Sequence, residues 1–100
     1  MEQEFNRWVT IAAVLKTHNE LPKNDRGVAS VTIRQLLNRY CPECTGIVQE
    51  YVCSFGAHGL DVLDRLVAHN ATDREKEYDA KVNAIFNAMV SDLRKEGAFN

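Results

Sequence analysis

The chain has 100 residues, of which 45% are apolar and 26% charged, and a formal net charge of −2. That length supports one domain around one core and is too short for two, so residues 1–100 read as a single domain. The slight negative balance excludes any global attraction to nucleic acid or to an anionic membrane, and leaves only local contacts of that kind.

No run approaches the roughly 18 consecutive apolar residues of a membrane span. The opening MEQEF is acidic and polar where a secretory leader is basic and then apolar. Three cysteines are an odd number outside any secretory context, which argues against a disulfide framework and for a cytoplasmic chain.

Over residues 2–18, Phe5, Trp8, Ile11, Ala12 and Leu15 recur at helical spacing on one side, with Asn6, Thr10, Ala13 and Thr17 opposite. This is an amphipathic first helix. It stops in NELPKNDRG (19–27), where Pro22 lacks a donor and Asn24 and Gly27 have turn chemistry. Thr32 followed by Gln35 is a capping box, and Ile33, Leu36, Leu37 and Tyr40 give a short second helix its apolar face. Pro42 closes it.

A third helix over 44–55 places Ile47, Val48, Tyr51, Val52 and Phe55 within about 140° at about 100° per residue. Gly56 and Gly59 break it. Leu60, Val62, Leu63, Leu66 and Val67 then form the face of a fourth helix. Thr72 with Glu75 is a second capping box, opening the longest helix, which runs to about residue 96 with Tyr78, Val82, Ile85, Phe86, Met89 and Leu93 inward. Arg94, Lys95 and Gly97 suit its C-terminal end. No alternating β-branched run competes. The expected fold is therefore all-α, one compact domain of four to five helices with a long C-terminal helix.

Cys41, Cys44, Cys53 and His58 offer the spacing C-x2-C-x8-C-x4-H, which has the ligand types of a zinc site. In knuckles of that type a glycine follows the second cysteine directly, whereas here Thr45 precedes Gly46. If the third helix is real, Cys44 sits near its apolar face and Cys53 about 170° from the centre of that face, so the two ligands diverge. The apolar spacing favours the helix over the metal. A redox CxxC pair would call for a βαβ unit that the chain lacks. On this reading Cys41 and Cys44 fill small core spaces, Cys53 faces outward, and no cofactor or metal is expected.

His18, His58 and His69 are scattered at helix ends, and no nucleophile elbow, phosphate loop or HExxH motif is present. Enzymatic activity is not expected. A helix-turn-helix over TIRQLLNRYCPECTGIVQEYV, acting as a small transcription regulator, is the alternative. Its second helix, however, would enter DNA without a cation. Residues 40–64 contain no Lys or Arg but do contain Glu43, Glu50, Asp61 and Asp64.

That cation-free segment points instead to a basic protein surface, since complementary charge speeds docking and fixes orientation. Glu43, Gln49, Glu50 and Cys53, with Asn24 and Asp25 of the loop, are the candidate partner-binding residues. The stripe Ala80, Ala84 and Ala88 would allow another helix to approach closely, including that of a second copy.

As a compact acidic helical chain opening MEQEFNRWVTIAAVLKTHNELPKNDRG and lacking catalytic motifs, the protein resembles the small phage-encoded anti-CRISPR proteins that bind type I surveillance complexes. The likeness is one of general character and transfers no functional residue. It implies an inhibitor in a bacterial host's cytoplasm that occupies a basic, nucleic-acid-handling surface of a Cas protein and blocks target DNA, without itself binding nucleic acid.

Overall fold

The computed structural model describes residues 2–55, 62, 65, 69 and 74–99, with residues 2 and 51–55 described by their backbone alone. Among them four α-helices carry the architecture: α1 (Glu2–Glu20), α2 (Ile33–Tyr40), α3 (Thr45–Phe55) and α4 (Glu75–Lys95). A 3-10 turn over Pro42–Cys44 joins α2 to α3. The described residues form no strand, and one isolated bridge pairs Lys23 with Ala29 in the loop after α1. The radius of gyration is 13.4 Å, close to the roughly 13 Å of a compact 100-residue domain. The all-α fold with a long last helix is as the sequence predicts.

The framework is the pairing of α1 with α4. Phe5 meets the Tyr78 ring edge-on, with centroids 6.5 Å apart. Lys81 Nζ donates to Asn6 Oδ1 at 3.2 Å, Lys16 Nζ to Asn83 Oδ1 at 2.8 Å, and the Thr17 hydroxyl lies 3.5 Å from Met89 Sδ. Numbers rise together along both helices, so α1 and α4 run parallel, and the chain between them makes the return. α1 also packs against α2, whose end reaches α4 through Tyr40 Oη donating to Asp92 at 3.1 Å and Arg39 to Glu96 at 2.7 Å, and α2 in turn carries the 3-10 turn and α3.

Packing against both α4 and α2 explains a departure from the expected faces. Val9, Ile11, Ala13, Val14, Leu15 and Thr17 are all buried, although Ala13 and Thr17 fall opposite the predicted apolar stripe. A helix with neighbours on two sides needs two apolar faces. Small Ala13 and hydroxyl-bearing Thr17 provide the second, and the Thr17 hydroxyl is satisfied by donating to Ala13 O at 2.7 Å. Trp8 and Ala12, expected inside, are only partly buried. On α4, Val82, Met89 and Leu93 are buried as predicted, while Tyr78, Ile85 and Phe86 are half-buried and Ala80, Ala84 and Ala88 exposed. No helix among the described residues is long and apolar enough to cross a membrane.

Local signals set the helix ends. Thr32 Oγ1 accepts from Gln35 N at 3.1 Å and Gln35 Oε1 accepts from Thr32 N at 2.8 Å, closing the predicted capping box. At the far end Gly97 takes φ +81°, Gly97 N donates to Arg94 O and Ala98 N to Leu93 O. This is the paired bonding of a Schellman cap, and only glycine enters that φ without strain. The start of α4 differs from expectation. It opens at Glu75 behind Arg74, whose side chain makes no capping bond but donates to Glu77 at 2.9 and 2.6 Å. Glu75 is therefore the first residue of the helix and not the third, and Thr72 lies outside the described residues.

The expected fourth helix over 60–67 is described only at Val62 and Arg65, both helical. His58, Asp61 and Asp64 lie outside the described residues, as do the side chains of Tyr51, Val52, Cys53 and Phe55.

Candidate functional site

Helix α2 ends where Cys41 N donates to Leu37 O at 2.8 Å. Pro42, with no N–H to satisfy and φ preset, begins the 3-10 turn, which Cys44 N closes by donating to Cys41 O at 2.9 Å. Cys41 and Cys44 are 5% and 0% exposed, and their sulfurs are joined in a disulfide across a Cα separation of 5.4 Å. This corrects the expectation of unbonded core thiols. Both residues do fill the core, but as a covalent staple between α2 and α3. While the sulfurs are bonded to one another, neither supplies the thiolate that zinc requires. Among the described residues no three His, Cys, Asp or Glu side chains converge.

With Cys41 and Cys44 turned inward, one face of the residues between and beyond them turns outward, while Val48 is buried. Pro42, Glu43, Gly46, Gln49 and Glu50 are all exposed, at spacings of one, three and four that hold them on one face. Thr45 Oγ1, donating to Asn38 Oδ1 at 3.1 Å, fixes the start of α3 against α2. A Cβ added at Gly46 would meet no atom within 4 Å, so backbone is accessible in the middle of the face. Arg39, the cation nearest in sequence, is committed to Glu96 at 2.7 Å. The Glu43 and Glu50 carboxylates thus stand on a surface without a basic residue of its own in 40–50. Cys53 belongs to the same helix, and its side chain lies outside the described residues.

The loop candidates take a different part. Asn24 is exposed, but its Oδ1 accepts from Arg26 N at 2.8 Å and Val28 N at 3.1 Å, while its backbone exchanges bonds with Val28 and Gly27. Gly27 supplies φ +76° to the turn. The Asn24 side-chain carbonyl therefore holds the loop in shape while the residue stays exposed. Asp25 is exposed at the tip. The loop borders a cleft of about 270 Å³ with Ala98, whereas α3 rests on α2 and the 3-10 turn, so the structure does not join Asp25 to the Glu43 and Glu50 face in one hydrogen-bonded cluster.

Comparison with protein-family models, with curated proteins and with solved structures finds no match to this chain. The functional reading therefore rests on the chain's own surfaces.

Sequence reasoning missed two features. Val28, just after Gly27, is 54% exposed. Its signal is an apolar residue inside a turn, with no periodic partners. Arg7, on α1, has a buried Nε without a hydrogen-bond partner, and nothing in its sequence neighbourhood distinguishes it. Histidine 18 has a structural setting: Lys23 Nζ donates to the carbonyls of His18 at 2.8 Å and Leu21 at 2.7 Å, satisfying the C-terminal end of α1. Burial first, and the nearby Lys23 charge second, hold its imidazole below the usual histidine range.

Proposed function

We propose that the protein is a binding inhibitor that sterically blocks a basic nucleic-acid-binding surface of a type I CRISPR-Cas surveillance complex and so prevents target DNA from docking. The observation that carries this reading is the exposed face of Pro42, Glu43, Gly46, Gln49 and Glu50. It presents two carboxylates, a side-chain amide and open backbone, and no cation. Such a surface steers toward a positive partner and orients on it. The general resemblance to anti-CRISPR proteins supplies the partner's class, and the mode of action is occupation of a surface, with no chemistry and no cofactor, in the bacterial cytoplasm.

The transcription-regulator alternative would send α3 into a DNA groove with Glu43 and Glu50 toward the phosphates, where both are repelled. The deciding experiment is the double substitution Glu43→Lys and Glu50→Lys. It should leave circular dichroism and melting almost unchanged, because exposed carboxylates typically alter stability by under about 0.5 kcal/mol. Binding to a purified type I surveillance complex should be lost. A folded double variant that still binds the complex at wild-type strength would remove this face from consideration, and one that gains DNA affinity from a measurable wild-type level would favour the regulator.

A further inference from the structure

We infer that a groove along the C-terminal half of α4 receives the Pro42, Glu43 and Glu50 face of a second copy of this chain, so that the protein associates head to tail with itself. The groove has a volume of about 520 Å³, and its lining includes Phe86, Val90, Arg94 and Lys95 of α4, Phe99 just after it, and Glu20 of α1. Phe86, Val90 and Phe99 are half-buried, whereas Arg94 and Lys95 are exposed. The Arg94 guanidinium lies 5.5 Å from the centroid of the Phe99 ring, and Lys16 Nζ lies 4.5 Å from that of Phe86. Cations thus stand beside both aromatic surfaces. Neither Arg94 nor Lys95 makes an ion pair among the described residues. Among the described lining residues Glu20 is the one carboxylate, against two cations, so the groove is net positive.

The occupant follows from the chemistry of that lining. Exposed cations favour an anionic partner, and an aromatic floor favours an apolar group beside the charge. The chain itself carries this combination. Glu43 and Glu50 are exposed carboxylates with no ion pair among the described residues, and Pro42, next to Glu43, is exposed as well. The two carboxylates match Arg94 and Lys95 in number and oppose them in sign, while a proline ring suits an aromatic-lined groove. Face and groove are different patches of one molecule, so the pairing is heterologous. Seating one copy on another therefore hides the Glu43 and Glu50 face of the seated copy. The inference rests on that face as a docking surface, though not on a surveillance complex as its target. Exposed ion pairs are individually weak, which makes the association weak and sensitive to salt.

Sedimentation equilibrium of the protein alone reads the association. For the wild type, the weight-average mass should rise above that of one chain as the concentration is raised to about 1 mM, the range expected of a few exposed ion pairs. The association should weaken at least about tenfold between about 0.02 M and about 0.5 M sodium chloride, as the Debye length contracts from about 20 Å to about 4 Å. Glu43→Lys with Glu50→Lys, and separately Arg94→Glu with Lys95→Glu, should each give a monomer, because like charges then face each other. An equimolar mixture of these two double variants should associate again, since the reversed face of one meets the reversed groove of the other. A wild type that stays monomeric over that range, an association indifferent to salt, a folded double variant that associates like the wild type, or a mixture of folded variants that stays monomeric would each overturn the proposal. Concentration and salt decide it on the wild type even if a variant fails to fold. A monomeric wild type whose Arg94→Glu, Lys95→Glu variant no longer binds the surveillance complex would assign the groove to that partner instead. Because self-association is read without the complex, its failure is distinct from failure of the proposed inhibition.

Discussion

The Thr17 hydroxyl of α1 lies 3.5 Å from the sulfur of Met89 on α4, both residues being fully buried. This contact, 72 residues apart in sequence, ties the C-terminal part of α1 to α4 in the parallel seam. Met89→Ala should therefore cost about 2–5 kcal/mol in denaturant unfolding, because a large side chain is removed where neighbouring helices cannot fully collapse. Ile11→Ala, at 0% exposure, should cost a similar amount, and the partly buried Trp8 less when replaced by alanine. Thr17→Val should stay within about 1 kcal/mol of wild type, since the hydroxyl's acceptor, Ala13 O, retains its helical bond when the hydroxyl is replaced by a methyl. A Met89→Ala loss below that of Trp8→Ala would contradict the seam.

The Cys41–Cys44 disulfide closes a very short loop, for which the chain-entropy account gives only about 2 kcal/mol. Reduction should lower the unfolding free energy by no more than about that amount and leave helical circular dichroism intact, because both cysteines pack as apolar groups in the core. Thiol titration of the denatured monomer should find one thiol before reduction and three after it. Three thiols in the unreduced protein would contradict the bridge.

Gly46 and Gly27 should respond in opposite directions to alanine. Gly46 sits in the first turn of α3 with open space at its Cβ position, so Gly46→Ala should stabilise by about 0.5–1 kcal/mol through helix propensity and reduced backbone freedom. Gly27 holds φ +76°, a region costing about 1–2 kcal/mol for a residue with a Cβ, so Gly27→Ala should destabilise. Chemical denaturation of the two variants against wild type checks both signs. If the face around Gly46 docks closely on its partner, Gly46→Ala should also weaken that binding while raising stability, a combination that loss of folding cannot produce.

Acid should weaken the fold through His18. Its folded pKa is depressed below 6.5 by burial and then by Lys23, so below that value the unfolded chain binds more protons than the folded one. Its contribution is thus fully present above 6.5 and is lost as pH falls from there through the folded value. Stability measured across pH 7 to 5 should fall for the wild type and fall less for His18→Gln. A variant with the same slope as wild type would exclude His18 as the source.

Several helix ends of this protein, though not the start of α4, were legible because their causes are local. Thr32 with Gln35, Pro42, and Gly97 each act on backbone groups within a few residues, so propensity and capping fix the end of a helix whatever lies beyond it. The apolar spacing of Leu36, Leu37, Val82, Met89 and Leu93 likewise predicted burial that the structure contains, and the exposed run of Glu43, Gln49 and Glu50 followed from the same periodicity. Tertiary structure alone decided the remainder. That α1 is buried on two sides, so that Ala13 and Thr17 join the core, depends on α4 arriving parallel from about 70 residues away. No local pattern encodes that arrival. Whether Cys41 and Cys44 meet each other, whether Asn24 turns its amide oxygen onto its own loop, and whether Glu4 or nothing satisfies Arg7 are all matters of side-chain placement between competing partners. Such choices are settled by packing and desolvation over the whole molecule, which residue order specifies only through the fold it produces.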